Sequence, residues 1–176
     1  LARFTDRGQI GAWARNAAAT AAELEIVAGN PDGTVAPQQN SSCEQTLAML
    51  LRAYRYLEKL LGKTAEQPAS AQSGNYTCSA WAAEEMATLY GLGLLPQELQ
   101  AADLTKPITR SQICAAAVLV YQKLTGQAEL QPAGVHFSDT DDATVNVAYE
   151  LALISGYPDG TFRPAAQMTR EEFFVI

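Results

Sequence analysis

A nine-residue segment occurs twice in this chain, and that repetition narrows the possible folds more than any other feature. Gly29-Asn30-Pro31-Asp32-Gly33-Thr34-Val35-Ala36-Pro37 returns 127 residues later, without a gap, as Gly156-Tyr157-Pro158-Asp159-Gly160-Thr161-Phe162-Arg163-Pro164. The shared residues spell a turn. Pro presets φ, Asp accepts from the backbone ahead of it, and Gly tolerates positive φ. The second Pro ends a short extended piece. A unit recurring in this way cannot bury its apolar face alone and must stack on its neighbours.

The flanks of the two turns repeat as well. Upstream, Ala18, Ala21 and Leu24 match Val145, Ala148 and Leu151 at a spacing close to one helical face. A middle copy starts at Trp81-Ala82, which matches Trp13-Ala14, and places Met86, Leu89 and Leu92 at the same positions. It has lost the Pro-Asp-Gly turn and carries Gln97 to Thr105 instead. Downstream stand three helix starts: Ser42-Cys43-Glu44-Gln45, Thr109-Arg110-Ser111-Gln112 and Thr169-Arg170-Glu171-Glu172. Each is a capping box, in which the cap side chain and the third helical side chain satisfy each other's backbone N–H. Met168 with Phe173, and Ile108 with Ile113, supply hydrophobic staples; Ser41 and Thr46 do not.

The helices that follow share a stripe. Leu47, Leu50, Leu51, Tyr54 and Leu57 correspond to Cys114, Ala117, Val118, Tyr121 and Leu124. The repeats run 1–63, 74–126 and 136–176, the third reaching only Ile176, early in its second helix. Residues 64–73 and 127–134 are polar and read as linkers. The pattern predicts a mainly α chain of three helix–loop–helix units in one cooperative domain, because a unit of ~50 residues buries too little apolar surface alone. The two stripes meet at its centre.

Composition excludes several functions. The chain has 12 basic and 19 acidic residues, a net charge of −7, which argues against nucleic-acid binding. No apolar run is long enough to insert into a membrane, and no signal-peptide pattern opens the chain. The single histidine, His136, reads as a loop residue. Cys43, Cys78 and Cys114 form no CxxC, so neither a zinc site nor any other cofactor is expected. The acidic pairs Glu84-Glu85, Asp141-Asp142 and Glu171-Glu172 are too close in sequence to face each other across a glycosidase cleft. Asp139, Asp141 and Asp142 lack the glycine and terminal glutamate of an EF-hand loop. The chain is read as a non-enzyme without metal.

Phe4-Thr5-Asp6, Trp13-Ala14, Gly29 to Thr34 and Pro37 resemble an S-layer homology repeat. So do Phe137-Ser138-Asp139, Gly156 to Phe162, Pro164 and Met168 to Glu172. The middle copy resembles it through Tyr76-Thr77-Cys78, Trp81-Ala82 and Ile108 to Gln112. The resemblance implies three repeats around a pseudo-threefold axis, with one helix from each in a central three-helix bundle. It implies noncovalent anchoring of a bacterial surface protein to pyruvylated cell-wall polysaccharide, and a location at the cell wall. It also implies ligand grooves between neighbouring repeats, with the Thr-Arg arginine as a key contact, and allows a fused passenger domain.

The residues agree on where a ligand belongs. Arg110 and Arg170 follow a Thr cap, where the positive helix end and free N–H groups suit a small carboxylate. The other reading of these arginines is a surface ion pair. Trp13 and Trp81 offer flat faces for sugars; their other reading is a core anchor. The turn residues Asp32, Gly33, Asp159 and Gly160 complete the candidate set. Cys43 replaces the arginine in repeat one and Thr140 the tryptophan in repeat three, so at most two grooves are expected to be competent. A degenerate scaffold for protein–protein interaction, or a non-catalytic part of a surface enzyme, is the alternative function.

Overall fold

The computed structural model describes residues 1–68 and 74–176. The expected linker over 64–73 therefore lies partly outside the described residues. The chain is mainly helical, with no strand longer than an isolated bridge among the described residues. Its helices are α1 (Arg15–Glu23), α2 (Cys43–Leu60), α3 (Ala83–Gly91), α4 (Arg110–Thr125), α5 (Ala143–Glu150) and α6 (Arg170–Phe173). All three capping boxes form, with Ser42, Thr109 and Thr169 each accepting from the third helical N–H and receiving the reciprocal bond.

The repeats are interlocked head to tail. The residue before each cap donates to its counterpart in another repeat: Ser41 N to Met168 O (2.9 Å), Met168 N to Ile108 O (3.3 Å) and Ile108 N to Ser41 O (2.9 Å). These three bonds close a ring. The first two N–H groups of each long-helix start extend the pattern. Arg110 N and Ser111 N donate to Ala166 O and Pro164 O, while Arg170 N and Glu171 N donate to Gln39 O and Pro37 O. Cys43 N and Glu44 N donate to Lys106 O and Leu104 O. A helix start leaves such N–H groups without an internal partner, and here the loop of a neighbouring repeat supplies it.

The expected apolar stripes do meet: α2 packs on α4, and Leu47, Leu50, Leu51, Tyr54, Cys114, Ala117 and Val118 are buried. On the outside α3 packs on α2, and α5 on α4. The third strut, α6, is a single turn. Beyond it, Leu57 and Leu124 line an apolar cavity of about 310 Å³ together with Phe174 and Ile176.

The missing staple of repeat one has a visible consequence. Ile108 and Ile113 are fully buried, and so are Ser41 and Thr46 at the matching positions. The hydroxyls of Ser41 and Thr46 have no hydrogen-bond partner among the described residues. A buried polar atom without a partner costs about 1–3 kcal/mol. Thr46→Val keeps the shape and removes the hydroxyl, so it is expected to raise stability by about 1 kcal/mol, read as a shift in the urea midpoint.

The repeated turn folds as its residues dictate. Asn30 O and Tyr157 O accept from Gly33 N and Gly160 N, both glycines at φ 78°. Gly29 and Gly156 serve a different purpose: a Cβ there would lie 2.4 Å from Phe4 and 2.3 Å from Phe137. The Phe of each Phe-x-Asp motif thus packs directly on the turn backbone. The Asp of that motif holds the extended piece beyond it. Asp6 accepts from Val35 N (2.9 Å) and Ala36 N (2.7 Å), and Asp139 from Phe162 N (2.7 Å) and Arg163 N (2.8 Å).

Candidate ligand grooves

Two grooves lie at the seams between repeats, and each is assembled from all three. The first, about 410 Å³, combines Arg170 of repeat three, residues 27–31 of repeat one and Trp81 of repeat two. Its floor is Gln45, Ala48, Met49 and Arg52 of α2. The second, about 250 Å³, combines Arg110 of repeat two, residues 152–157 of repeat three and Trp13 of repeat one. Glu172, Val175 and Ile176 occupy its floor, at the positions of Gln45, Ala48 and Met49. The same three parts meet in the same cyclic order, although Arg110 and Trp13 stand 97 residues apart.

The tryptophans are not core anchors. Trp13 is 58% exposed and Trp81 53% exposed, while the alanine after each is fully buried. The alanine holds the chain to the core, and the ring is left at the groove rim, where an aromatic face can meet an apolar sugar face.

The arginines differ from expectation in two ways. Both are 7% exposed, so neither is a solvent-facing residue. The helix N–H groups beside them are also not free, because carbonyls of the neighbouring repeat take them. The helix terminus therefore has no free N–H group to offer an anion. The two arginines are used differently. Arg110 donates from Nε to Phe162 O (2.8 Å) and from Nη2 to Ser155 O (2.7 Å), with its guanidinium 4.6–4.8 Å from the Phe162 and Tyr157 ring centres. Arg170 makes one side-chain hydrogen bond, from Nη1 to Asn30 Oδ1 (2.8 Å), and its buried Nε has no partner among the described residues. Burial pushes the Arg170 guanidinium pKa down from its ordinary value.

Asp32, Gly33, Asp159 and Gly160 line neither groove. Their chemistry is spent inside the turn. Asp32 Oδ1 accepts from Thr34 N (2.9 Å) and Thr34 Oγ1 (2.6 Å). Asp159 Oδ1 accepts from Thr161 N and Oγ1, and its Oδ2 from Arg163 (2.8 Å). The Thr161 hydroxyl and then Arg163 hold the Asp159 carboxyl down at about 2. The Thr34 hydroxyl lowers Asp32, and the Phe162 amide lowers Asp139. A carboxyl whose folded pKa lies below its unfolded value stabilises fully above the unfolded pKa and loses that contribution as pH falls. Stability is therefore expected to drop as pH falls from about 4 towards 2. Thermal melts across that range test this, with Asp159→Asn expected to flatten the acid limb.

Two groove-building residues carry no mark in the candidate set. Glu171 Oε2 accepts from Gly11 N (2.8 Å) and its Oε1 from Gln38 Nε2 (2.8 Å). Glu44, at the matching position, accepts from Ser79 N and Ser79 Oγ, both at 2.7 Å. Gly11 and Ser79 each stand two residues before a groove tryptophan, so these carboxylates fix where the rings sit. Their identical placement after the helix cap was the available signal. The other acidic pairs are also engaged: Glu85 pairs with Arg52 (2.7 Å), and Asp142 caps α5 by accepting from Thr144 N (2.8 Å).

The third seam lacks both groove residues. A cavity of about 720 Å³ lies between residues 96–98, α4 and α5, lined by neither arginine nor aromatic residue. Cys43, in place of the arginine, is buried, and burial pushes its thiol up to about 11. All three cysteines are unpaired. Among the described residues no cluster of three His, Cys, Asp or Glu is arranged to hold a metal ion, and no helix is long and apolar enough to cross a membrane.

The chain is similar to parts of much larger proteins. It is 26% identical over 170 residues to an amylopullulanase of Thermoanaerobacterium thermosulfurigenes, covering 93% of this chain and 9% of that protein. It is 26% identical over 157 residues to an endoglucanase of Bacillus sp. (strain KSM-635), covering 85% and 16%. It is 25% identical over 170 residues to the exoglucanase XynX of Acetivibrio thermocellus, covering 93% and 15%. The chain thus spans less than a fifth of the length of each of these relatives. Two segments, residues 3–40 and 138–174, which carry the repeated turn and the aspartate that clasps it, match the S-layer homology domain family model.

Proposed function

We propose that this chain is a noncovalent anchoring module, which holds a surface protein to cell-wall polysaccharide at the bacterial cell surface. The observation that carries this reading is the pairing of an exposed tryptophan with a buried arginine in each of two seam grooves. A flat ring beside a guanidinium suits a sugar bearing a small anionic substituent, and a pyruvate ketal has that chemistry. A polymer is a suitable partner because two grooves on one rigid body raise avidity without new contacts. The pseudo-threefold arrangement drawn from the resemblance belongs to the same reading, and the closed ring at Ser41, Ile108 and Met168 supports it. The amylopullulanase and glucanase relatives support an anchor that serves a separate passenger, since this chain matches only a small part of each.

The test is co-sedimentation with purified cell walls, before and after chemical removal of the ketals, followed by calorimetry with a pyruvylated monosaccharide. Binding is expected to the intact walls and to be lost with the ketals. Arg170→Ala removes a charge-assisted hydrogen bond of about 1.5–3 kcal/mol and is expected to weaken binding roughly ten- to a hundredfold. Trp81→Ala is expected to weaken it about tenfold through loss of the stacking face. A wild-type chain that stays in the supernatant would leave the protein-interaction scaffold as the better reading.

A further inference from the structure

The two grooves are built alike but charged differently. In the Trp13 groove the arginine is committed: two donors of Arg110 are held by carbonyls of the adjoining loop, and Tyr157 and Phe162 flank its guanidinium. Tyr157 is in turn covered by Arg163, 4.0 Å from the ring centre, and Glu172 brings a negative charge to the floor. In the Trp81 groove Arg170 has, among the described residues, a single side-chain hydrogen bond and an unpartnered Nε, and an uncharged Gln45 stands where Glu172 stands in the other. That groove also holds a second cation. Arg52, three turns into α2, lines it and is held by Glu85 of α3 at 2.7 Å. The matching residue of α4, Leu119, lines the third seam.

We propose that the Trp81 groove is the anion-selective site of this chain, and that Arg52 is its specificity-determining residue. Glu85 is a counter-charge that competes with the incoming anion for Arg52. The arginine of the Trp13 groove is then a structural pin. The inference rests on the polysaccharide reading and says which seam reads the charge. Arg52 is part-exposed, so its contribution is that of a screened ion pair and falls with salt.

The chain supplies its own reporters, one tryptophan per groove. The experiment is a titration of ¹⁵N-labelled protein with a methyl glycoside carrying a 4,6-pyruvate ketal, with the 6-phosphate and the unsubstituted glycoside as further arms. The Trp81 indole signal is expected to move with the two anionic probes and the Trp13 signal to stay. Arg52→Gln is expected to weaken anionic binding about five- to tenfold, Arg52→Lys to retain most of it, and Glu85→Gln to strengthen it about threefold. Unchanged affinity in Arg52→Gln, in a protein whose spectrum is otherwise wild type, would overturn the role of Arg52. Movement of Trp13 alone, or of both signals alike with the anionic probes, would overturn the assignment of the anion to the Trp81 groove. If neither indole moves with any probe, the polysaccharide reading falls, and this inference with it.

Discussion

Arg110→Ala is expected to destabilise the protein by about 3 kcal/mol, which lowers the melting temperature of a domain this size by roughly 6–12 °C. The substitution strips Phe162 O and Ser155 O of their donors inside the seam between repeats two and three. It also empties the space beside the Tyr157 and Phe162 rings. Arg110→Lys is expected to recover little of the loss. An ammonium has neither the planar fork that reaches two carbonyls at once nor the flat face that stacks on a ring. Arg170→Ala is expected to cost less stability than Arg110→Ala, because its guanidinium holds one side-chain oxygen and no carbonyl. Differential scanning calorimetry of the two alanine variants checks the contrast. Equal losses, or a shift below about 2 °C for Arg110→Ala, would mean that the guanidinium does not hold the seam.

Glu44→Ala is expected to have a comparable effect, about 2–4 kcal/mol. Glu44 is buried in the first turn of α2 and receives both the N–H and the hydroxyl of Ser79, 35 residues away. Truncation leaves two part-buried donors of Ser79 unpaired and frees the segment that leads into Trp81. Glu44→Gln retains one good acceptor and is expected to fall midway. Urea unfolding measures the loss. Amide hydrogen exchange at Ser79 gives the local readout, and protection that persists in Glu44→Ala would show that the carboxylate is not what orders this segment. Because Ser79 positions the Trp81 ring, the same variant is expected to weaken wall binding even where it remains folded.

Much of the local structure was legible in the residues. The capping boxes at Ser42, Thr109 and Thr169, the glycine turns after Asn30 and Tyr157, and the apolar stripes of α2 and α4 all depend on neighbours within three or four positions. The repetition added more, since copies of one motif must meet equivalent partners. The staple lost at Ser41 and Thr46 was visible in the same way, although that it leaves two buried hydroxyls unpaired was not.

The grooves were legible only as a set of residue types. Arginine after the cap and tryptophan at the first helix were identified, but their environments were not. The free helix N–H groups assigned to an anion are taken by Pro37, Gln39, Pro164 and Ala166, residues 53–134 positions away along the chain. The arginine whose other reading was a surface ion pair is enclosed by a loop of the next repeat, and the tryptophan is left open because the adjacent alanine does the packing. Asp32 and Asp159 resemble ligand residues in sequence but spend their carboxylates on the Thr two positions on. Short-range preference, set by backbone sterics and hydrogen bonds within one turn, therefore determined what each repeat is. How the repeats close on one another decided which arginine is a pin, which is available, and which ring faces the groove. That closure depends on long-range packing and on satisfying every buried N–H, and no local pattern encodes either.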